Sequence, residues 1–498
     1  MTNFREKFSA ATVKRMPKTM QILRTMIPAL ASALFLVMLA LPVAAQTTSS
    51  GGTMKLPPFR KVKLPNGLTL LLMEKHNVPL VSFHMLVKTG STADPVGAEG
   101  TASATAALLR HGTQSRSGEQ YAADLDFIGG NFNANASIEY TTISAEFMKK
   151  DISKGLELFS DPVIHPTFPA AEVTKFIAQR KSGILSAKDQ AQGVLATYFN
   201  GYLFGTNPYA RPTGGDEQSL THISRDTVTT FYQTYYKPGN AVLAVVGDFD
   251  SAEMEKMLAL QFAGWTGGNV PAIRALDPTP ASGKRLLLVD KPDSTQTYFR
   301  IGNDGISRTN PDRVYVGVVN TIFGGSFTSM VNSALRIKSG LTYGANSAFD
   351  QRKAPGSFYI STYTKNPTTE QAMDMALDVL KQLHEKGISA EQLASAKSLL
   401  KGQYPLRLET SDQLAAQLAD LDFYGLDAHD IDDYLPKVEA MSMADAQRII
   451  KTYFPLDNLV FVVIGKASEI GPAMKKYAPQ LDTRSISDPG FWQPNGSR

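Results

Sequence analysis

A repeat with a period near 217 residues constrains this chain more than any other feature of it. Residues 235–247 read YYKPGNAVLAVVG, and residues 453–465 read YFPLDNLVFVVIG. Each is a helix end, a proline-containing turn and a run of branched apolar residues closed by glycine, the pattern of a buried strand. Gly247 and Gly465 are 218 positions apart, and the leucine triplets Leu70–Leu72 and Leu286–Leu288 are 216 apart. Such a period is too long for a solenoid unit and reads as two homologous domains in tandem.

Length agrees, since 498 residues exceed what one ordinary core organises. The segment Gly264–Gly283, rich in glycine and proline, reads as the connector. The expected division is a leader over 1–45, a first domain over 46–263, a linker over 264–283, a second domain over 284–480 and a loose polar tail over 481–498. Within each half, strands come first, then helices such as Thr369–Lys386 and Ala390–Gln403, then a closing strand. Blocks of strands and helices predict an α+β class, with mixed or antiparallel sheets carrying helices on one face.

The leader explains the charge. Arg5, Lys7, Lys14, Arg15, Lys18 and Arg24 precede an apolar run from Ile27 to Val43 and the small residues Ala44 and Ala45, the order of a cleavable secretory signal. Met16 or Met20 could serve as the true start. With no cysteine anywhere, lipid attachment, disulfides and thiolate metal sites are excluded. The chain has 50 Lys and Arg against 46 Asp and Glu; removing the leader leaves 44 against 45. Nothing in that balance supports nucleic-acid binding, which needs a concentrated basic surface. No later stretch is expected to cross a bilayer, so the processed chain is expected in the periplasm or outside the cell, without a stable membrane anchor.

Ordered motifs carry a resemblance. They are GTASATAALLRHGT at 100–113, GGNFNA at 129–134, NPY at 207–209, YKPGN at 236–240, VGD at 246–248, FGGS at 323–326 and LRIKSGLTY at 335–343. Together they resemble the pitrilysin or mitochondrial-processing-peptidase family, the inverzincin zinc peptidases, from about Arg60 to Ala467. In active members the first motif carries H-x-x-E-H, two imidazoles one helical turn apart on zinc and a glutamate as general base. Those positions correspond here to Ser103, Ala106 and Ala107, and the later glutamate ligand to Ser186 or Ala187. None of these residues can do its counterpart's work. The seven histidines, His76, His84, His111, His165, His222, His384 and His429, show no H-x-H, H-x-x-H or H-x-x-x-H spacing. His111 reads as a histidine at a helix C-terminus, facing its dipole.

The resemblance also implies what remains. An arginine and a tyrosine seven residues apart in the family's second domain face the substrate, and here they correspond to Arg336 and Tyr343. A phenol can stabilise the oxyanion that develops on a scissile carbonyl, and a guanidinium fork suits backbone carbonyls. Arg336 is expected in the last turn of a helix closed by left-handed Gly340, with Tyr343 starting the next strand. Gly324 and Gly325 read as a turn before that helix. Asn133 and Ala134, with the alternating run Ile138–Phe147, read as an edge strand that in active relatives pairs with substrate backbone.

By resemblance, then, the chain would be the non-catalytic subunit of a heterodimeric metallopeptidase. It would bind no cofactor itself, and would lend Arg336 and Tyr343 to zinc on a homologous partner acting on unfolded peptide. The alternatives are a peptide holdase or a structural scaffold, and self-association of the duplicated halves. No G-x-S-x-G elbow points to other hydrolase chemistry.

Overall fold

In the computed structural model, which describes residues 54–273 and 282–492, each repeat builds a six-stranded mixed sheet. The first contains β1 (Arg60–Lys63), β2 (Thr69–Glu74), β3 (Leu80–Val87), β4 (Asn131–Ala136), β5 (Thr141–Met148) and β6 (Ala241–Gly247), in the order β1-β2-β6-β3-β5-β4. The second contains β7 (Arg285–Asp290), β8 (Gln296–Asp304), β9 (Ala345–Gln351), β10 (Pro355–Lys365), β11 (Val460–Gly465) and β12 (Gln480–Ser485), in the order β12-β7-β11-β8-β10-β9. The leader expected over 1–45 lies outside the described residues, as do 274–281 of the connector and 493–498 of the tail.

Five strands of each sheet correspond in sequence and in place. The leucine triplets lie in β2 and β7, and the closing runs in β6 and β11; β2 pairs parallel with β6 and β7 parallel with β11. Leu71 faces Ala244 across one pair, and Leu287 faces Val462 across the other. A parallel neighbour so far along the chain requires a long crossover, which the intervening strands and helices supply.

Nine helices position the sites: α1 (Thr101–Leu108), α2 (Ala170–Asp189), α3 (Ala191–Phe204), α4 (Arg225–Tyr235), α5 (Arg313–Asn320), α6 (Thr369–Lys386), α7 (Ala390–Gln403), α8 (Ser411–Tyr424) and α9 (Met443–Tyr453). Helices α6 and α7 span the residues read from sequence. Reciprocal capping boxes start α7 at Ser389, α8 at Thr410 and α9 at Ser442.

Each repeat lays its own helices on one face of its sheet, as expected; the opposite face is covered too, by a helix from the other repeat. Strands β6 and β11 are buried at every residue, which a sheet with one wet face would not permit. Leu243 and Val245 join the first repeat's own core. Val242, Ala244 and Val246 on the opposite face pack with Leu414, Ala415, Leu418 and Ala419 of α8. Reciprocally, α3 leaves the first repeat after one extended residue, Gln190, and packs on β8 and β11, joining Val460, Val462 and Ile464 to the first repeat's core. Both repeats belong to a single compact unit.

Polar contacts lock the exchange. Asp422 on α8 accepts from Lys61 at 2.7 Å and Lys88 at 2.9 Å. Glu139, in the turn between β4 and β5, accepts the backbone N–H of Lys353 and the hydroxyls of Tyr209 and Tyr424.

One expectation needs correction. The residues from 481 to 492 are not a loose tail. Strand β12 pairs along the whole of β7, and beyond it Ile486 and Phe491 are buried. Lys188 of α2, 5% exposed, donates to the carbonyls of Asp488 and Gly490 and pairs with Glu217. The C-terminal segment is thus a strap from the second sheet to the first repeat. By length and mean hydropathy (1.3) alone, Arg313–Lys338 would also suit a bilayer span. Half of it is buried, however, and Val316, Val318, Phe323 and Leu335 belong to the second repeat's core.

Candidate functional site

Helix α1 is set by a buried carboxylate. Asp94 accepts the N–H groups of Gly100 and Ala102, each at 2.7 Å, at the helix start. Burial pushes this carboxyl up to about 7, against the pull of the two amides. Along α1 every residue is buried except Ser103 and Ala107, one turn apart on the same face. Two positions that could present ligands outward therefore do present outward, but they hold a hydroxymethyl and a methyl group.

Ala106 and Ala107 line a cavity of about 410 Å³ whose other walls are the strand β4 and the helix α2. Asn133 and Ala134 border it from β4; Glu172, Lys175 and Gln179 border it from α2; Arg110 and His111 close its end. Ser186 is exposed, further along α2, and is not among the residues lining this cavity. Among the described residues, no three His, Asp or Glu side chains gather where they could hold a metal ion. Alanine and serine at the α1 positions offer no donor set that fits zinc.

His111 also differs from expectation. It lies past the end of α1, and its Nδ1 is 2.8 Å from Oε2 of Glu172 on α2. The hydrogen bond from His111 holds the Glu172 carboxyl below the usual range. The histidine bridges two helices rather than facing one dipole.

Strand β4, which carries Asn133 and Ala134, is one of the two edges of the first sheet, β1 being the other. Run 138–147, whose alternation suggested an edge, is mostly β5, paired on both sides by β3 and β4. Its alternation reflects one buried and one wetter face, not a free margin.

In the second repeat, Arg336 sits in a wide π-helical turn over Ser333–Lys338. Gly340 closes it at φ +66°, its N–H donating to the Arg336 carbonyl, while the Leu341 N–H donates to the Leu335 carbonyl. Gly324 and Gly325 end a preceding π-helical segment, and the turn itself falls on 326–329. Arg336 lays its guanidinium 4.7 Å from the centre of the Phe327 ring. It lines a cavity of about 440 Å³ with Asn346 of β9, the stacked pair Tyr298 and Tyr363, and Gln192 of α3. Tyr343 does not start a strand. It lies in the turn before β9, 80% exposed, and is not among the residues lining the Arg336 cavity.

The two cavities occupy matching places, one beside edge strand β4 and the other beside edge strand β9. Sequence reading missed Arg110, Lys175 and Gln179. Arg110 could have been found, because it lies three residues after Ala107, on the same side of a continued helix.

Two family descriptions match the chain. "Insulinase (Peptidase family M16)" matches residues 69–217, and "Peptidase M16 inactive domain" matches residues 222–400. An uncharacterised zinc protease of Streptomyces coelicolor is 23% identical over 447 residues, covering 88% of this chain and 95% of that protein. One from Rickettsia bellii is 26% identical over 352 residues, covering 70% and 84%. The crystal structure of a peptidase M16 inactive domain from Pseudomonas fluorescens aligns at a TM-score of 0.78 with 26% identity, over 82% of this chain and 98% of that one. A Helicobacter pylori protease shares the fold at a TM-score of 0.76 and 21% identity, over 82% and 100%.

Proposed function

The chain belongs to the M16 peptidase family, and on that premise we propose that it is the zinc-free subunit of a heterodimeric exported peptidase. In this reading it cleaves nothing alone. A homologous partner holds the zinc, and this chain presents Arg336 and Tyr343 to an unfolded peptide bound between the two. The observation that carries the reading is the contrast between the repeats. The first has Ser103, Ala106 and Ala107 where ligands and base would stand, while the second keeps Arg336 at an open cavity and Tyr343 turned to solvent. Neither side chain is needed by the core, so both are available to something outside the chain.

Tyr343 would donate its phenolic hydrogen bond to the carbonyl oxygen as negative charge develops there. Arg336, its guanidinium already stacked on Phe327, would hold substrate carbonyls with the donors left free. The leader supports action in the periplasm or outside the cell.

A second reading, a holdase that grips peptide without cleavage, draws on β4 and β9, both of which end their sheets. One experiment separates the two. The purified chain is mixed with an H-x-x-E-H homologue from the same organism, and cleavage of a quenched peptide is followed. Activity that needs both chains supports the subunit reading; cleavage by this chain alone, with stoichiometric zinc, overturns it.

A further inference from the structure

We propose that the cavity under Ala106 and Ala107 receives the C-terminal carboxylate of an extended peptide, held by Arg110 and Lys175. This rests on the reading that the chain binds peptide, and adds which end of the peptide it grips in the first repeat.

Three observations lead there. First, alanine at both α1 positions leaves space between α1, α2 and β4, and the cavity of about 410 Å³ can admit a terminal residue but not a folded domain. Second, positive charge is in excess in that space. Arg110 and Lys175 reach the cavity from different helical segments, and neither forms a hydrogen bond or ion pair among the described residues. The one acid on the wall, Glu172, hydrogen-bonds His111 at 2.8 Å and also feels the charge of Lys175, so one carboxylate is shared among three basic side chains. That surplus of positive charge, with the Gln179 and Asn133 amides beside it, matches an anion with several acceptor sites.

Third, the approach to the cavity selects the kind of anion. Phe132–Asn135 of β4 line it, and β4 pairs only with β5, so its outer backbone groups have no strand partner among the described residues. An extended chain can add to that edge through main-chain hydrogen bonds, which do not depend on its sequence. A peptide lying there and ending in the cavity places its terminal carboxylate against Arg110 and Lys175. An internal segment running through would bring a neutral amide to the same point and leave the surplus positive charge unbalanced. The site would therefore distinguish a chain's end from its middle, whatever the side chains.

The test uses the full chain and two extended octapeptides of one uncharged sequence, one ending in a free carboxylate and the other in a carboxamide. Fluorescence anisotropy of an N-terminal dye reads binding. The free acid is expected to bind at least about tenfold more tightly, and raising salt is expected to narrow the gap. In Arg110→Ala/Lys175→Ala both peptides should bind as the amide does. Both residues are on the surface, so thermal melting should match the parent and show that the double variant folds. Equal binding of acid and amide to the parent would overturn the carboxylate site while leaving peptide binding intact. Undiminished preference in the double variant would also overturn it. Failure of both peptides to bind the parent would overturn the peptide-binding reading and this proposal together.

Discussion

Arg336, half-buried at its cavity, lies 4.7 Å from the centre of the exposed Phe327 ring, and neither side chain belongs to the core of the second repeat. An exposed cation–aromatic contact of this kind contributes about 0.5–1 kcal/mol, too little to explain the arginine as a stabilising residue. It fixes the direction in which the guanidinium points.

Arg336→Ala and Tyr343→Phe should therefore leave the fold intact and affect only the assembled enzyme. On the scale of losing one oxyanion donor, turnover by the mixture should fall on the order of 10²–10³-fold, with no change in co-elution of the two chains. Unchanged turnover in both variants would remove the pair from the mechanism.

Leu418 of α8 is 1% exposed and fills the face of the first sheet shared with Val242, Ala244 and Val246. Leu418→Ala should cost about 2–5 kcal/mol. Because the residue belongs to one repeat and its contacts to the other, urea unfolding should show a single transition shifted as a whole. Two separated transitions would mean that the repeats are stable independently.

Asp422 links α8 to the first sheet through Lys61 and Lys88. Burial alone would raise its carboxyl, but the hydrogen bonds from the two lysines outweigh burial and hold it below the usual range. A depressed folded-state value stabilises above the unfolded value of about 3.9, and that stabilisation is lost as pH falls through the lower, folded value. The stability gap between the parent and Asp422→Asn should be constant from neutral pH down to about pH 5 and shrink in stronger acid. A gap that widens with acid would contradict this linkage.

The wall opposite Ala107 can be tested by building a metal site. Ser103→His/Ala107→His creates two imidazoles one turn apart. A third ligand through Gln179→Glu, which lines the same cavity, should tighten zinc binding by at least about tenfold, measured by competition with a chromogenic chelator. Ser186→Glu should add little. If Ser186→Glu tightened binding more than Gln179→Glu, the facing of α2 described above would be wrong.

Much of this architecture was legible in the sequence because its signals are local. The repeated strand–glycine endings at Gly247 and Gly465 mark β6 and β11, and Ser389 with Gln392 marks the start of α7. Gly340 announced the helix end at Arg336 through its left-handed backbone. What escaped depends on contacts between distant segments. A strand apolar at every residue shows that both faces are covered, but not which helix covers the second, and α8 and α3 trade places without a sequence mark. Strand β12 reads as tail because its sequence, QLDTRS, has the polarity of a sheet margin. The cavity wall on α2 escaped for a related reason. Glu172, Lys175 and Gln179 of α2 reach the cavity through the tertiary arrangement, which no spacing between motifs records.

The traded helices set the order in which the protein can be finished. The first sheet leaves the ribosome complete in its strands, yet its back face stays uncovered until Ser411–Tyr424 has been made. Until then, the nascent chain carries an apolar surface with no partner in itself. Truncation before α8 should therefore yield not a smaller stable domain but a sticky fragment, handled by chaperones and proteases. Quality control on such a chain amounts to a check on whether translation has passed Tyr424.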